Sequence, residues 1–455
     1  MNIKKNDIVE IEITGMTAEG SGIGRYNGMA VFVASSAVGD RIKVKLIKVS
    51  KNYAIGKIEE ILVPSTDRQT PDCAIFNKCG GCAYRHVTYT AELKYKRQRV
   101  IDAVERIGGF KDFEVDEIVG AENPDNYRNK AQIPIGTDKQ GNVIMGFYAA
   151  NSHRIIPHEN CNLQPKIFSK VTSIVKKWIE ENKLTPYNEI TGKGKLRHVY
   201  IRCGEKTNEL MVCIVVNGKG VSSEDKLCNM LSSQIAEIKS IAVNVNTEDT
   251  NVILGKECRT IYGKESISDI LCGLKFDISP LSFYQVNRNQ AERLYGIAKN
   301  YADMHKDEVL LDIYCGTGTI GLSMAASCKA VYGIEVIPDA VENAKQNALN
   351  NKIVNAEFIC ADAYEGAKRL TAKGIKPDVV IIDPPRKGST PEVINLIVSL
   401  SPKRIVYVSC DPATLSRDLK LFNEFGYEPK KITPVDMFPR TRQVESVVVM
   451  SKKDK

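Results

Sequence analysis

The chain lacks the features that would place it in a membrane or outside a cell. Its first residues, MNIKKNDIVEIEITG, turn polar and strand-like at once, with neither the apolar core nor the small-residue cleavage site of a secretion signal. No run approaches the ~18 apolar residues of a spanning helix, and there is no internal repeat or low-complexity tract. A cytoplasmic protein with no membrane partner is expected. Nor does the sequence support a disulfide framework. Its 13 cysteines belong to a large chain of a reducing compartment, where clustered thiols point to metal or catalysis and scattered ones to packing. Cys203, Cys213, Cys228, Cys258, Cys272, Cys328 and Cys360 stand alone in apolar surroundings and read as small hydrophobes.

What is present is an ordinary globular composition, 43% hydrophobic and 26% charged over 455 residues, long enough for roughly two or three domains. A net charge of +8 favours a polyanionic partner without requiring one. From Asp7 to about Ile61 the pattern alternates with period two (IVEIEIT, MAVFVAS, RIKVKLIKV), broken at Gly20, Gly22 and Gly24. Such short strands and turns predict a small closed barrel. A polar linker, Pro64 to Pro71, leads to a cysteine cluster and then to a basic helix from about Thr90 to Gly108 carrying Lys94, Lys96, Arg97 and Arg99. The region from about Asn126 to Leu274 is strand-rich, with one amphipathic helix near Lys166 to Glu181.

From about Val309 strands and helices alternate regularly (VLLDIY, AVYGIE, AEFICA, PDVVIID, RIVYVS), and the chain closes on two more strands ending in VESVVVM. That rhythm predicts a doubly wound, mostly parallel sheet whose ligands sit at the carboxyl ends of its strands. The first such end is followed by CGTGTIG, Cys315 to Gly321, where glycines let the backbone approach a ligand. Glu335 closes the next strand, 19 residues beyond Gly316, placed to accept ribose hydroxyls of an adenosyl group. Asp383 opens DPPRKG, whose two prolines hold the acid and Arg386 at the sheet edge. One strand over stands Cys410, in RIVYVSCDPATLSRDL. A thiol on a strand tip, followed by a new helix, suits a nucleophile better than packing. Arg386 or Arg417 is expected to help form its thiolate.

DPPRKG, SCDPATLSRDL (409–419) and FPRTRQVESVV (438–448) resemble the signature blocks of the RNA uracil-5-methyltransferase family. The likeness extends to SPLSFYQVN (279–287), to YRNKAQIPI and to GFYAANSHRIIPHENC, and the amino-terminal strands resemble a TRAM domain, an oligonucleotide-binding-like barrel. Bacterial 23S ribosomal RNA enzymes of this family combine TRAM and iron-sulfur features in the same way. The resemblance implies a Rossmann-like class I methyltransferase domain (91–125 and 276–455), a TRAM barrel (1–62) and a β-rich iron-sulfur domain (63–90 and 126–275). It implies S-adenosyl-L-methionine as cofactor, bound by Gln285, Tyr314, Glu335 and Asp383. Cys410 would add to C6 of a uridine in 23S ribosomal RNA and Glu445 would remove the C5 proton, while Phe283 stacks on a base. The partner would be an unstacked uridine, with transfer RNA as the alternative substrate and no DNA, and the enzyme would act as a monomer. One departure is that Arg442 or Gln443 stands where members commonly carry histidine.

Cys73, Cys79 and Cys82 form C-x5-C-G-G-C, with Cys161 downstream in HENC. Three thiols so close together, and a fourth from a distant loop, suit zinc or an iron-sulfur cluster; the resemblance favours [4Fe-4S]. Lys43, Lys45, Lys48 and Lys51 on the barrel, with Lys193, Lys195, Arg197, His198 and Arg202 in TGKGKLRHVYIR and the basic helix that begins near Thr90, are candidate surface contacts to phosphates. Two other readings remain at this point. One is an amino-methyltransferase, which would leave Cys410 idle and would want an aromatic residue where Arg386 stands; the other is a non-catalytic RNA-binding protein.

Overall fold

The computed structural model describes residues 3–453. Five strands, β1 (Ile8–Met16), β2 (Gly22–Tyr26), β3 (Met29–Val33), β4 (Arg41–Val49) and β5 (Tyr53–Val63), close into a barrel in the order β1-β2-β3-β5-β4. Alternation makes the barrel: in β4, Ile42, Val44 and Leu46 point inward, while Arg41, Lys43 and Lys45 face out. Gly24 is required where β2 crosses β1, because a Cβ there would stand 2.6 Å from the Glu12 carbonyl.

Helix α1 (Tyr89–Ala103), capped by Thr88, ends in a π turn (Val104–Gly108) and packs mainly against the C-terminal part of the chain, with Ala91 and Tyr95 also meeting Met16, Ala37 and Val38 of the barrel. A seven-stranded sheet follows, built from β6 (Lys130–Thr137), β7 (Val143–Tyr148), β8 (Ile155–Pro157), β9 (Leu196–Cys203), β10 (Leu210–Val216), β11 (Ile238–Val245) and β12 (Glu257–Gly263). The amphipathic segment forms α2 (Lys166–Glu181), whose Phe168, Val171, Val175 and Trp178 bury one face against this sheet beside α3 (Glu224–Gln234). A hairpin, β13 (Ile267–Leu271) and β14 (Leu274–Ile278), and α4 (Arg288–Ala302) lead into the last sheet.

That sheet has seven strands: β15 (Val309–Ile313), β16 (Ala330–Glu335), β17 (Ala356–Cys360), β18 (Val379–Ile382), β19 (Arg404–Ser409), β20 (Tyr427–Val435) and β21 (Glu445–Lys452). They run in the order β17-β16-β15-β18-β19-β21-β20, the first five parallel and β21 antiparallel to both neighbours. Helices α5 (Thr319–Met324), α6 (Pro338–Asn350), α7 (Ala363–Ala372), α8 (Pro391–Leu400) and α9 (Pro412–Glu424) connect them. VVII and IVYV are apolar without alternation because both faces of a parallel sheet are covered. The strand order reverses between β15 and β18, and it is at such a switch point that a crevice opens. The fold is thus a Rossmann-like, doubly wound sheet with an N-terminal barrel and a β-rich middle.

Burial overturns several surface expectations. Arg197, His198 and Arg202 are buried within β9 rather than facing phosphates: Arg197 donates to the Asn246 and Glu248 carbonyls, and Arg202 to those of Ser282 and Tyr284. Lys96 of the basic helix is likewise interior, while Lys193, Lys195 and Lys94 are exposed. On the barrel, Lys43 is paired with Glu60 at 2.7 Å and Lys48 lies over the Tyr53 ring. Cys360, expected to pack, is exposed at the end of β17. Among the described residues no helix is long and apolar enough to cross a membrane.

Candidate active site

The carboxyl ends of β15, β16, β18 and β19 and the start of β21 share one edge. After β15 the backbone turns through left-handed residues at Tyr314 (φ 66°), Gly316 (φ 54°) and Gly318 (φ 80°). Tyr314 holds this conformation as a non-glycine, which is strained and marks a place the surrounding structure over-determines. A Cβ on Gly316 would meet nothing within 4 Å, so the turn faces open space. Glu335 at the end of β16 is fixed there: one carboxylate oxygen accepts from the Gly316 amide at 3.1 Å, the other from the Val336 and Ile337 amides. Val336 and Ile337 are 61% and 56% exposed, an apolar shelf beside that carboxylate. Under the turn, Asp312 accepts from the Gly321 amide while its other oxygen is buried without a partner, and burial pushes its pKa up to about 7. Anchored carboxylate, bare glycine turn and exposed shelf together fit an adenosyl group with a cationic tail.

Asp383 follows β18, and burial alone pushes its carboxyl up to about 7. Cys410 and Glu445 are brought together by strand register. Ser409 of β19 pairs with Ser446 of the antiparallel β21, so Cys410 and Glu445 are the next positions across the ladder. Glu445 is 8% exposed, and burial first, then the Asp383 carboxylate, raise it to about 8 against a small opposing effect of Arg386. The Cys410 thiol rises to about 11 through burial, Glu445 and Asp383, with Arg386 pulling it down. Arg386 therefore favours the thiolate as expected, but it is outweighed. Arg417 is engaged elsewhere, on Asp418 and on the Lys387 and Ser389 carbonyls. Beside Cys410, Asp411 caps α9 through the Ala413 and Thr414 amides and lies 3.6 Å from Arg99.

The FYQVN loop reaches the same edge from the other side. The Gln285 side chain approaches the buried Tyr295 hydroxyl, which lies 3.1 Å from Thr319 at the glycine turn and feels the Asp383 charge. Phe283 is 66% exposed, an aromatic ring held out to solvent. Cys410, Glu445, Asp383, Glu335, Tyr314 and Gln285 are thus gathered at one edge. Sequence reasoning missed Asp312, whose place behind a glycine turn on a strand was a usable signal, and the shelf of Val336 and Ile337, which looks like strand continuation in the sequence.

The four cysteines lie apart from this edge. Cys73, Cys79, Cys82 and Cys161 line one cavity of about 240 Å³ together with Phe76, Arg85 and His158. Burial raises the Cys79 and Cys161 thiols and takes Cys82 up to about 12, where Arg85, itself paired with Asp72 and Asp125, works against it. Among the described residues no three His, Cys, Asp or Glu side chains are gathered tightly enough to hold a metal ion. In type and number the donor set nevertheless fits a thiolate-ligated metal.

Known proteins share this arrangement. Residues 88–453 match the family described as tRNA (uracil-5-)-methyltransferase, and residues 4–58 match the TRAM domain. A relative from Clostridium tetani, described as an uncharacterized RNA methyltransferase, is 45% identical over 99% of this chain and 97% of its own. Another from Clostridium acetobutylicum is 44% identical over 100% of this chain and 99% of its own. Among solved structures, the Pyrococcus abyssi tRNA (uracil-54, C5)-methyltransferase in complex with S-adenosyl-L-homocysteine is similar with a TM-score of 0.78 and 27% identity, over 97% of this chain and 100% of that one. The chain belongs to the S-adenosylmethionine-dependent RNA (uracil-5-)-methyltransferase family and carries a TRAM domain.

Proposed function

We propose that this enzyme methylates C5 of a specific uridine in 23S ribosomal RNA, with Cys410 as nucleophile and Glu445 as base. The observation that carries the chemistry is the pairing of Ser409 with Ser446, which sets a thiol and a carboxyl side by side at a strand edge. Carbon 5 of uracil is a poor nucleophile until sulfur bonds to C6 and leaves an enolate. Cys410 forms that bond; C5 then takes the methyl group; Glu445 accepts the C5 proton as the electron pair returns to the ring; and the S–C6 bond breaks, releasing the thiolate. Bound S-adenosyl-L-methionine supplies the electrophilic methyl and a positive charge. Gln285, Tyr314, Glu335 and Asp383 would hold it, Glu335 offering its carboxylate to the ribose hydroxyls and the exposed Val336 and Ile337 offering apolar surface to the base. Burial raises the Cys410 thiol to about 11, and the positive charge of the cofactor beside it would favour the thiolate.

The target base must leave its stack to reach Cys410, at a few kcal/mol that phosphate contacts and stacking on Phe283 offset. Cys73, Cys79, Cys82 and Cys161 hold a [4Fe-4S] cluster with a structural role, because polar methyl transfer needs no electron. Iron and sulfide analysis after anaerobic purification separates this from zinc. The ribosomal substrate is supported by the combination of TRAM barrel and four cysteines. Transfer RNA is the second reading, favoured by the end-to-end similarity to a tRNA (uracil-54, C5)-methyltransferase.

Two experiments decide. RNA containing 5-fluorouridine should trap a covalent adduct that a Cys410→Ala variant cannot form; normal turnover with no adduct through that sulfur overturns the mechanism. Mapping 5-methyluridine in ribosomal and transfer RNA from cells lacking the gene should show the loss in 23S RNA, and loss confined to transfer RNA establishes the second reading.

A further inference from the structure

A second buried charge cluster lies behind the catalytic edge, and it grips the loop that delivers Glu445. Lys96 of α1 is 1% exposed and satisfied three ways: its ammonium donates to Glu92 at 2.7 Å, to Asp436 at 2.7 Å and to the Phe438 carbonyl at 3.2 Å. Asp436 also accepts from the Tyr89 hydroxyl, and Glu92 from the Arg440 amide at 2.7 Å, with the Arg440 guanidinium 3.6 Å away. Two cations and two carboxylates balance in charge, though one Glu92 oxygen and the Arg440 Nε are buried without a hydrogen-bond partner. Burial opposes the Lys96 charge, but Asp436 and Glu92 more than restore it, so the ammonium keeps its proton.

Segment 436–440 is gripped at every carbonyl. Gln290 holds Asp436, Asn287 holds Met437, Lys96 holds Phe438, Tyr127 holds Pro439, and the Ala83 and Tyr84 amides, directly after Cys82, hold Arg440. Arg440 is a non-glycine at φ 68°, a conformation that such outside contacts must sustain. Arg99, one turn along α1, takes the Arg442 carbonyl at 2.8 Å. Two residues after Gln443, β21 begins with Glu445. Among these donors to the loop backbone Lys96 is the one that also binds two carboxylates, so it ties helix α1 to the loop from both sides.

We propose that Lys96, through Asp436 and the Phe438 carbonyl, is a positioning residue that sets the approach of Glu445 to C5 of the base. This rests on reading Glu445 as the base. Misplacement of a reacting group by ~1 Å is enough to lower a rate about a hundredfold, and the loop has no other charged anchor at Phe438. The proposal separates proton removal, which Lys96 governs, from addition of the thiol, which it does not.

The test follows two events on the same RNA: formation of the 5-fluorouridine adduct, which needs no base, and tritium release from [5-³H]uridine RNA, which does. Glu445→Gln, run in parallel, should form adduct and lose tritium release; if it releases tritium normally, the base reading itself falls. With that reading intact, Lys96→Met and the milder Tyr89→Phe, which removes the hydroxyl that donates to Asp436 and accepts from the Ala121 amide, are compared with the native enzyme. The expected result is tritium release down about tenfold to a hundredfold for Lys96→Met and less for Tyr89→Phe, with adduct formation within about twofold of native. Lys96→Arg should recover part of the loss. Equal loss of both events in Tyr89→Phe, or unchanged tritium release in a folded Lys96→Met, overturns the proposal. If Lys96→Met fails to fold, Tyr89→Phe and Lys96→Arg decide by the same ratio.

Discussion

Two regions of this molecule bury ionisable side chains, and they do so in opposite ways. Around Lys96 each charge meets an opposite one, and the three ammonium protons have acceptors. At the strand edge desolvation raises all three groups, Asp383 to about 7, Glu445 to about 8 and the half-buried Cys410 to about 11, the last two also feeling neighbouring carboxylates. Paired burial is a structural device, because breaking it strands a charge in the interior. Unpaired burial is unstable by itself and persists where a ligand supplies what is missing. Here the missing charge is positive, and on the proposed reading a sulfonium would bring it.

The largest expected effect breaks the catalytic side alone. Cys410→Ala should lower methyl transfer at least about a thousandfold, since the covalent route is lost outright. The melting temperature should hardly change, because a half-buried thiol contributes little packing. The next effect breaks the structural side. Lys96→Met leaves Asp436 without its cation and Glu92 with only the Arg440 guanidinium at 3.6 Å, and should destabilise the fold by about 3–5 kcal/mol, read as a shifted urea midpoint at constant slope. If the double variant Lys96→Met/Asp436→Leu is also stable to within about 1 kcal/mol of native, the cluster is replaceable as packing, as buried ion pairs often are.

Mutations at the catalytic edge should move stability the other way. Asp383 and Glu445 hold their protons more tightly folded than unfolded. Their contribution is therefore complete below the usual carboxylate range and is lost as pH rises through about 7 for Asp383 and about 8 for Glu445. Glu445→Gln removes that loss. It should leave stability near native at pH 5 and raise it by about 1–2 kcal/mol at pH 9, while abolishing proton removal. Thermal scans of the ligand-free protein across that range check the sign, and a variant that is less stable at pH 9 would show that Glu445 has a fixed partner after all.

The same contrast explains what could be read from the chain. The barrel, the doubly wound sheet and the strand-end residues were legible because their signals are local: alternation, glycine turns, and an acid or thiol directly after an apolar strand. Glu445, 35 residues beyond Cys410, was legible only through the family resemblance, because a carboxylate in a terminal strand carries no local signal of its own. Lys96 was misread as surface because its partner, Asp436, is 340 residues away, and nothing near a lysine in the sequence says that it is buried. Arg202 failed for the same reason, its acceptors being carbonyls of the FYQVN loop. The helix at Glu224–Gln234 escaped notice because only Leu227, Cys228 and Leu231 face inward, too short an apolar stripe to register.

The smallest expected effect tunes the catalytic side without breaking it. Arg386 is exposed, yet it lowers the pKa of both Cys410 and Glu445. Arg386→Ala should therefore raise both, and the thiolate fraction at a fixed pH should fall. The alkaline-rising limb of adduct formation with 5-fluorouridine RNA should move up by under about one pH unit, since a solvated guanidinium acts through high dielectric. The native enzyme should show part of the same displacement when salt rises from about 0.05 to 0.5 M, because screening weakens the native arginine too, and the variant should show less. A limb that stays put in the variant would mean that the thiol is armed entirely by what binds beside it, making the contrast between the two buried regions sharper still: one carries its counter-charges in the chain, and the other takes all of them from its ligands.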